Sequence, residues 1–302
     1  MGNGNFVDYY VVYAAAFIVV AILIIVRQRL RSLPASGHLV AAAPAGLIQM
    51  DSIEAIPIGN AQTIGRREEQ DDYFASSTTR VGTMAVIADG ISGVSNGRMA
   101  STLAVTKFTR EFLKLDDSKD IHEYFHKAAV ASNRAILEQL GGAIGGTTLV
   151  VAVISDNYLH WGAVGDSVIL LFREGEFLTI NSKHTLESVL EAKYLSGEIS
   201  KEEVTNNPMK NQLTNYLGYA GFKSMEVGEP IPLKPGDSVI LCSDGVYDAL
   251  TEVEMEQILM QHSSPQEMAE EMIFTIERKS YKHQDNATVI ILEHEEKNES
   301  LG

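Results

Sequence analysis

The stretch TTLVVAVISDNYLHWGAVGDSVILLFREGEFLTI, residues 147–180, decides the fold class of this chain. Its short apolar runs are interrupted at SDN, GDS and REGE, and each interruption is a turn signal at the spacing of consecutive hairpins. The pattern therefore predicts an antiparallel meander of about four strands.

Strands and helices are clustered along the rest of the chain. Further strand-like runs are TMAVIA, SVILCS and ATVIIL, which adjoin Asp89, Asp244 and Asp285. Helical periodicity extends over residues 98–114, 119–140 and 265–280. Because these elements do not alternate as β-α-β units, they predict an α+β fold in which two packed antiparallel sheets are flanked by helices.

The composition narrows the range of partners. The chain has 302 residues and a net charge of −16, which disfavours nucleic acid and is compatible with divalent cations. Its single cysteine, Cys242, excludes an internal disulfide and a cysteine-based zinc site. Because Cys242 lies in an apolar run, it is interpreted as a small buried hydrophobe.

Residues 9–26, YYVVYAAAFIVVAILIIV, are predicted to form a transmembrane helix. They carry no charge and reach the lower length limit of a membrane-spanning helix. A cleaved signal peptide is less favoured, because only Asp8 is charged before the segment and the apolar core is long. A buried core helix is less favoured because every face is apolar. Arg27, Arg29 and Arg31 follow directly and place the rest of the chain in the cytoplasm.

This topology divides the chain into five parts and places the protein in the cell membrane as a single-pass protein. The five parts are an extracytoplasmic N-terminus at 1–8, the transmembrane helix at 9–26, a linker rich in Ala, Pro and Gly at 27–51, one folded domain at 52–294 and a flexible tail at 295–302.

The Asp-Gly pair within VIADGISGVSNG, residues 86–97, has two interpretations. Taken alone, Asp89-Gly90 is more typical of a tight turn, because glycine tolerates positive φ. Alternatively, Asp89 is a ligand at the end of a strand, and Gly90 permits a close approach to the backbone.

Four aspartates stand at comparable places and favour the ligand interpretation. They are Asp71, Asp89, Asp244 and Asp285. Carboxylates gathered at strand ends repel one another and need a cation. Oxygen ligands without cysteine favour Mg²⁺ or Mn²⁺, and such a cluster can hold two ions bridged by a water of lowered pKa. Phosphoester hydrolysis is the natural chemistry of this arrangement.

Seven segments, in order, resemble the metal-dependent protein phosphatase family of type 2C. The resemblance extends from about Ser52 to Glu293. The segments are GRREEQDDYF, VIADGISGVSNGRMAS, GGTTLVVAVI, WGAVGDSVILLF, KHTLESVLEAKYLSGEISKEEVTNNPMKNQLTNYLG, LCSDGVYDAL and DNATVIIL. The resemblance implies that residues 52–294 are a catalytic domain that hydrolyses phosphoserine and phosphothreonine in proteins with two Mn²⁺ or Mg²⁺ ions.

The resemblance also implies a set of metal ligands. By position, Asp89 bridges the two ions and the carbonyl of Gly90 binds one of them. Asp244 and Asp285 complete the shell of the first ion. Asp166 helps to hold a third, more weakly bound ion.

Two further residues receive catalytic roles from the resemblance. Asp71 orients metal-bound water, and Arg66 clamps the substrate phosphate through its planar guanidinium. The bridging water attacks without a covalent phosphoenzyme. The implied partners are phosphorylated proteins, substrates of a serine/threonine kinase, and the setting is bacterial signalling.

The chain departs from the family pattern at five positions. Gln70 replaces a Glu, Ser92 a Gly, Val94 a His, Val168 an Arg and Lys183 an Asp. These departures keep open a catalytically weak module that binds phosphoproteins on the same fold. A third hypothesis keeps the chemistry but assigns a small phosphoester as substrate.

Three other features have plain structural interpretations. His184 is expected to be hydrogen-bonded rather than a ligand, and His283 is expected at the surface. The segment 186–212 is either a solvated face or, by resemblance, a flap that contacts substrates.

Overall fold

Two antiparallel sheets form the centre of the structure, a computed structural model that describes residues 56–91 and 96–295. The first sheet has the order β1 (Ile58–Thr63), β11 (Ala287–His294), β10 (Asp237–Cys242), β6 (Val168–Arg173) and β7 (Glu176–Thr179). The second has the order β2 (Asp72–Thr79), β3 (Gly82–Asp89), β4 (Leu149–Ser155), β5 (Tyr158–Val164) and β8 (Glu226–Val227), while β9 (Ile231–Pro232) also pairs with β5.

Helices cover the sheets and connect them. They are α1 (Gly97–Phe112), α2 (Ile121–Leu140), α3 (Leu186–Leu195), α4 (Lys201–Thr205), α5 (Asp244–Tyr247), α6 (Glu252–Gln261) and α7 (Pro265–Lys279), and a 3-10 turn at Ser118–Asp120 precedes α2. The predicted α+β fold with two antiparallel sheets and helices is confirmed. The three long helices that the sequence predicted correspond to α1, α2 and α7.

The central strands are apolar on both faces because each sheet is covered on both sides. Ile87 and Val150 of the second sheet face Ile169, Leu241 and Ile290 of the first, and all are buried between the sheets. Each such side chain contributes about 1.5–3 kcal/mol through burial.

The alternate residues of the same strands pack outward against helices, since successive strand side chains point to opposite faces. Val86 packs with Phe108 of α1 and Phe125 of α2 in one outer cluster. Cys242 packs with Met272 of α7 in the other and is fully buried, as the sequence predicted. This double burial explains why the strands have continuous apolar sequences.

The predicted meander contains four strands but is not continuous. β4 and β5 form a hairpin in the second sheet, whereas β6 and β7 form a hairpin in the first. The chain crosses between sheets at 165–167, where Gly165 has φ +100. The Gly-Asp-Ser segment is therefore a crossover rather than a hairpin turn.

Within 56–91 and 96–295, no helix has both the length and the apolar character needed to cross a bilayer. The predicted transmembrane helix at 9–26 and the linker at 27–51 lie outside the described residues. So do Ser92, Val94 and most of the predicted tail.

Candidate active site

The backbone of Asp89 is fixed by the two threonines that precede β4. The Asp89 carbonyl accepts hydrogen bonds from Thr147 Oγ1 and from the Thr148 amide, both at 2.8 Å. The Asp89 amide donates to Thr148 Oγ1 at 3.1 Å. The Gly-Thr-Thr segment thus sets the position at which β3 ends.

Gly90 is required by close packing rather than by a turn. Its amide donates to the Asp71 carbonyl at 3.2 Å, and the residue pairs with Thr147 across an isolated bridge. An added Cβ would lie 2.5 Å from the backbone of Gly97 and 2.8 Å from the Asp71 carbonyl oxygen. The tight-turn interpretation is therefore wrong, and the close-approach interpretation is confirmed for the backbone.

The loops that carry Asp244 and Asp285 are locked together. Asp244 begins α5 directly after β10, and Gln284 Nε2 donates to the Gly245 carbonyl at 3.0 Å. A Cβ on Gly245 would lie 2.0 Å from the Asn286 carbonyl oxygen, so only glycine fits there. Both aspartates consequently reach the same end of the two sheets as Asp89.

A cavity of about 380 Å³ joins these carboxylates. Its polar wall includes Asp89, Asp166, Asp244 and Asp285, and its other lining residues are Ile91, Ile144, Gly145, Thr148, Asn211, Gln212, Leu213 and Tyr216. The structure therefore brings together the four predicted carboxylate ligands. Arg66 and Asp71 do not line the cavity.

Burial and neighbouring charges both act on the carboxylates of Asp89 and Asp244. Burial raises the pKa of Asp89 well above its ordinary value, and the charges of Asp72 and Asp244 raise it further. Burial raises the pKa of Asp244 to about 7, with added contributions from Asp166 and Asp285. Asp244 Oδ1 is buried without a hydrogen-bond partner. Buried oxygens of this kind, at a cluster of negative charge, fit a divalent cation.

Both carboxylate oxygens of Asp285 accept hydrogen bonds from neighbouring residues. Its Oδ1 accepts a hydrogen bond from the Asn286 amide at 2.8 Å, and Arg67 donates to Oδ2 at 2.5 Å. In the described part of the chain, no three His, Cys, Asp or Glu side chains converge as a ready-made ion site. Arg67 therefore places a positive charge directly on one of the four cavity carboxylates.

Asp71 precedes β2, and its side chain contacts the N-terminus of α1 close to Gly90. Its carboxylate accepts a hydrogen bond from the Arg98 amide, which lowers its pKa against a larger increase caused by burial. Its own amide donates to Asn286 Oδ1 at 2.8 Å. Asp71 thus holds an otherwise unpaired donor of the helix N-terminus and links α1 to the Asp285 loop.

Two charged residues at the site, Arg67 and Asp72, were not predicted from the sequence. Arg66 is exposed, and it is the adjacent Arg67 that pairs with Asp285. Asp72 is only 2% exposed, and its Oδ2 accepts hydrogen bonds from Ser243 at 2.8 Å and Thr288 at 2.7 Å. The one available signal was the second aspartate of QDDYF, at the start of a strand.

Two of the noted polar residues have structural roles. His184 Nδ1 accepts from the Gly165 amide at 3.1 Å, and Nε2 lies 3.4 Å from Glu226 Oε2. The expectation of a hydrogen-bonded histidine is met. Gln70 fixes its own loop, since Nε2 donates to the Thr63 carbonyl and Oε1 accepts from the Asp72 amide.

The segment 186–212 contains α3 and α4 and ends at the cavity. Asn211 and Gln212 belong to the cavity lining, as does Leu213 just beyond the segment. The segment therefore borders the cavity at one end.

Comparisons with known proteins agree on one family. Residues 61–281 match the family model of protein phosphatase 2C. The serine/threonine phosphatase Stp of Listeria monocytogenes is 31% identical over 221 residues, covering 70% of this chain and 84% of that protein. Protein phosphatase PhpP of Streptococcus pneumoniae is 31% identical over 201 residues, covering 64% and 80%.

Solved structures have the same fold. The serine/threonine phosphatase of S. agalactiae has a TM-score of 0.71 at 26% identity, covering 80% of this chain and 100% of that one. The catalytic domain of PstP, in complex with two manganese ions, has a TM-score of 0.66 at 22% identity, covering 80% and 99%.

Proposed function

Because the chain belongs to the protein phosphatase 2C family and is a serine/threonine protein phosphatase, we propose that it hydrolyses phosphoserine and phosphothreonine in proteins at this cavity. The observation that carries the proposal is the gathering of Asp89, Asp244 and Asp285 around one cavity, with a buried Asp244 oxygen that has no partner.

The proposed cofactor is a pair of Mn²⁺ or Mg²⁺ ions. Asp89 would be shared by the two ions, the Gly90 carbonyl would bind one of them, and Asp244 and Asp285 would complete the set. The similar PstP catalytic domain was solved with two manganese ions, which supports this number. When bound, such a pair lowers the pKa of water toward neutrality and supplies the nucleophile.

The side chains around the carboxylates position them and receive the substrate. Thr147 and Thr148 hydrogen-bond to the backbone of Asp89 and thereby fix the position of its Cα, from which the carboxylate extends. Ile144 and Leu213 give the cavity an apolar side. Arg66 remains the proposed phosphate clamp. Its exposure leaves the guanidinium free to meet an incoming phosphoprotein.

Phosphate release by the full-length protein in detergent tests the proposed function. We expect Mn²⁺-dependent hydrolysis of a phosphothreonine peptide, abolished by a chelator and restored when Mn²⁺ is added back. Hydrolysis of p-nitrophenyl phosphate without any peptide hydrolysis would instead indicate a small phosphoester substrate. Peptide binding without turnover, in protein that has bound Mn²⁺, would indicate a regulatory module.

We also propose that the phosphatase acts at the cytoplasmic face of the cell membrane. Residues 9–26 would anchor it as a single-pass helix, and the arginines at 27, 29 and 31 would keep the domain inside. A reporter fused to the C-terminus should be active only in the cytoplasm, and the full-length protein should sediment with membranes. A periplasmic or secreted reporter signal would contradict this topology.

A further inference from the structure

Lys183 places a positive charge beside the Asp166 side of the cavity. The residue lies in the loop between β7 and α3, and it is half-buried. Its Nζ lies 3.5 Å from the centroid of the Tyr247 ring. A lysine ammonium over an aromatic face is held by the negative charge density of the ring. The side chain therefore has a defined resting place.

Tyr247 connects this ammonium to the predicted ligands. It is the last residue of α5, which begins at Asp244, and its hydroxyl donates to the Asp166 main-chain carbonyl at 3.2 Å. The same ring that carries Lys183 is thus anchored to both segments whose carboxylates line this part of the cavity.

The positive charge of Lys183 acts on two carboxylates at once. Burial raises the pKa of Asp166, and the charge of Lys183 opposes that increase. The same opposition holds at Asp248, whose pKa is also raised by burial. Within the described part of the chain, Lys183 forms no ion pair within 4.0 Å, so its charge is not committed to another carboxylate.

We propose that the Lys183 ammonium takes the electrostatic place of a third divalent cation at Asp166, so that this phosphatase holds two ions and not three. The residues at Asp166 do not fit a further divalent ion, because its charge would be added next to an ammonium already held on Tyr247. This inference rests on the proposed function, since it presupposes the two ions at Asp89, Asp244 and Asp285.

The number of Mn²⁺ ions bound per chain tests the inference independently of activity. The full-length protein in detergent is dialysed against increasing Mn²⁺, and the bound metal is counted by elemental analysis and by electron paramagnetic resonance. We expect two ions in the wild-type protein. Lys183→Met, which keeps an apolar stem and removes the charge, should bind a third ion with affinity at least about tenfold above any third binding in the wild type.

Three matched variants control the measurement. Lys183→Gln removes the charge with a different side chain and should also gain the third ion, in case the methionine variant misfolds. Lys183→Arg keeps the charge and should remain at two. Lys234→Met removes a lysine that pairs with Glu174 away from the cavity, and it should also remain at two.

The outcomes separate this inference from the proposed function. A third ion bound equally well by the wild type and by the uncharged variants would overturn the role of Lys183 alone, as would a count of two in every variant. Wild-type protein that binds no Mn²⁺ would overturn the proposed function and this inference with it. An anomalous diffraction peak beside Asp166 in Lys183→Met crystals, absent from wild-type crystals, would support the inference directly.

Discussion

Replacing Asp89 by asparagine is expected to lower kcat/KM for a phosphothreonine peptide by about 10³-fold or more. Asp89 is the carboxylate that the proposed site shares between its two ions, so its loss would weaken both. Asparagine keeps the size of the side chain and leaves the backbone contacts to Thr147 and Thr148 in place. The expected loss therefore reports ion binding and not local unfolding.

The same variant should not be less stable than the wild type when metal is absent. Asp89 is destabilised by burial and by the charges of Asp72 and Asp244, and a neutral amide removes that repulsion. The free energy of unfolding in urea with a chelator present should therefore stay equal or increase. Asp116→Asn, at an exposed carboxylate paired with Arg80, is the matched control and should change neither quantity. Wild-type activity in Asp89→Asn would contradict the proposed site.

The metal-free protein is expected to lose stability through its buried carboxylates as the pH rises from about 4 to about 7. The pKa of Asp244 is raised from 3.8 to about 7, and that of Asp72 from 3.8 to about 6, chiefly by burial in both cases. Between the unfolded and folded pKa values the folded state binds more protons. Raising the pH therefore favours unfolding, by a few kcal/mol across the window.

Comparison with Asp244→Asn isolates the contribution of Asp244. Carboxylates with lowered pKa values, such as Glu254 beside Lys279, give the opposite slope in both proteins and cancel in the difference. The wild type should lose stability relative to the variant as the pH rises, when unfolding is measured in urea with a chelator. Mn²⁺ affinity should increase over the same window, because ions compete with protons for the carboxylates. A pH-independent difference would contradict the raised pKa of Asp244.

Much of the fold could be predicted because the local pattern of apolar residues indicates which segments are buried. Continuous apolar runs such as those of β4 and β10 mark strands covered on both faces. The crossover at Gly165 could not be predicted, since a turn signal does not specify which sheet the next strand joins. The four cavity aspartates were predictable because each adjoins a recognisable motif.

The residues whose roles were not predicted from the sequence depend on contacts between segments that are distant along the chain. Asp72 lies opposite Asp89 in the register of β2 and β3. Its hydroxyl partners come from the other layer, since Ser243 directly follows β10 and Thr288 lies in β11. No pattern along the chain indicates such a contact between the two sheets. Likewise, the pairing of Arg67 with Asp285 depends on how one loop folds.

The contacts of Asp72 have a mechanical consequence for the site. Its carboxylate links the two layers of the sandwich at the end where the cavity opens. It accepts hydrogen bonds from Ser243, which precedes Asp244, and from Thr288, which follows Asp285. Sliding of one layer over the other would have to break two buried hydrogen bonds before the spacing between Asp89 and its counterparts could change. The two layers are therefore held in register at the end of the sandwich that carries the cavity.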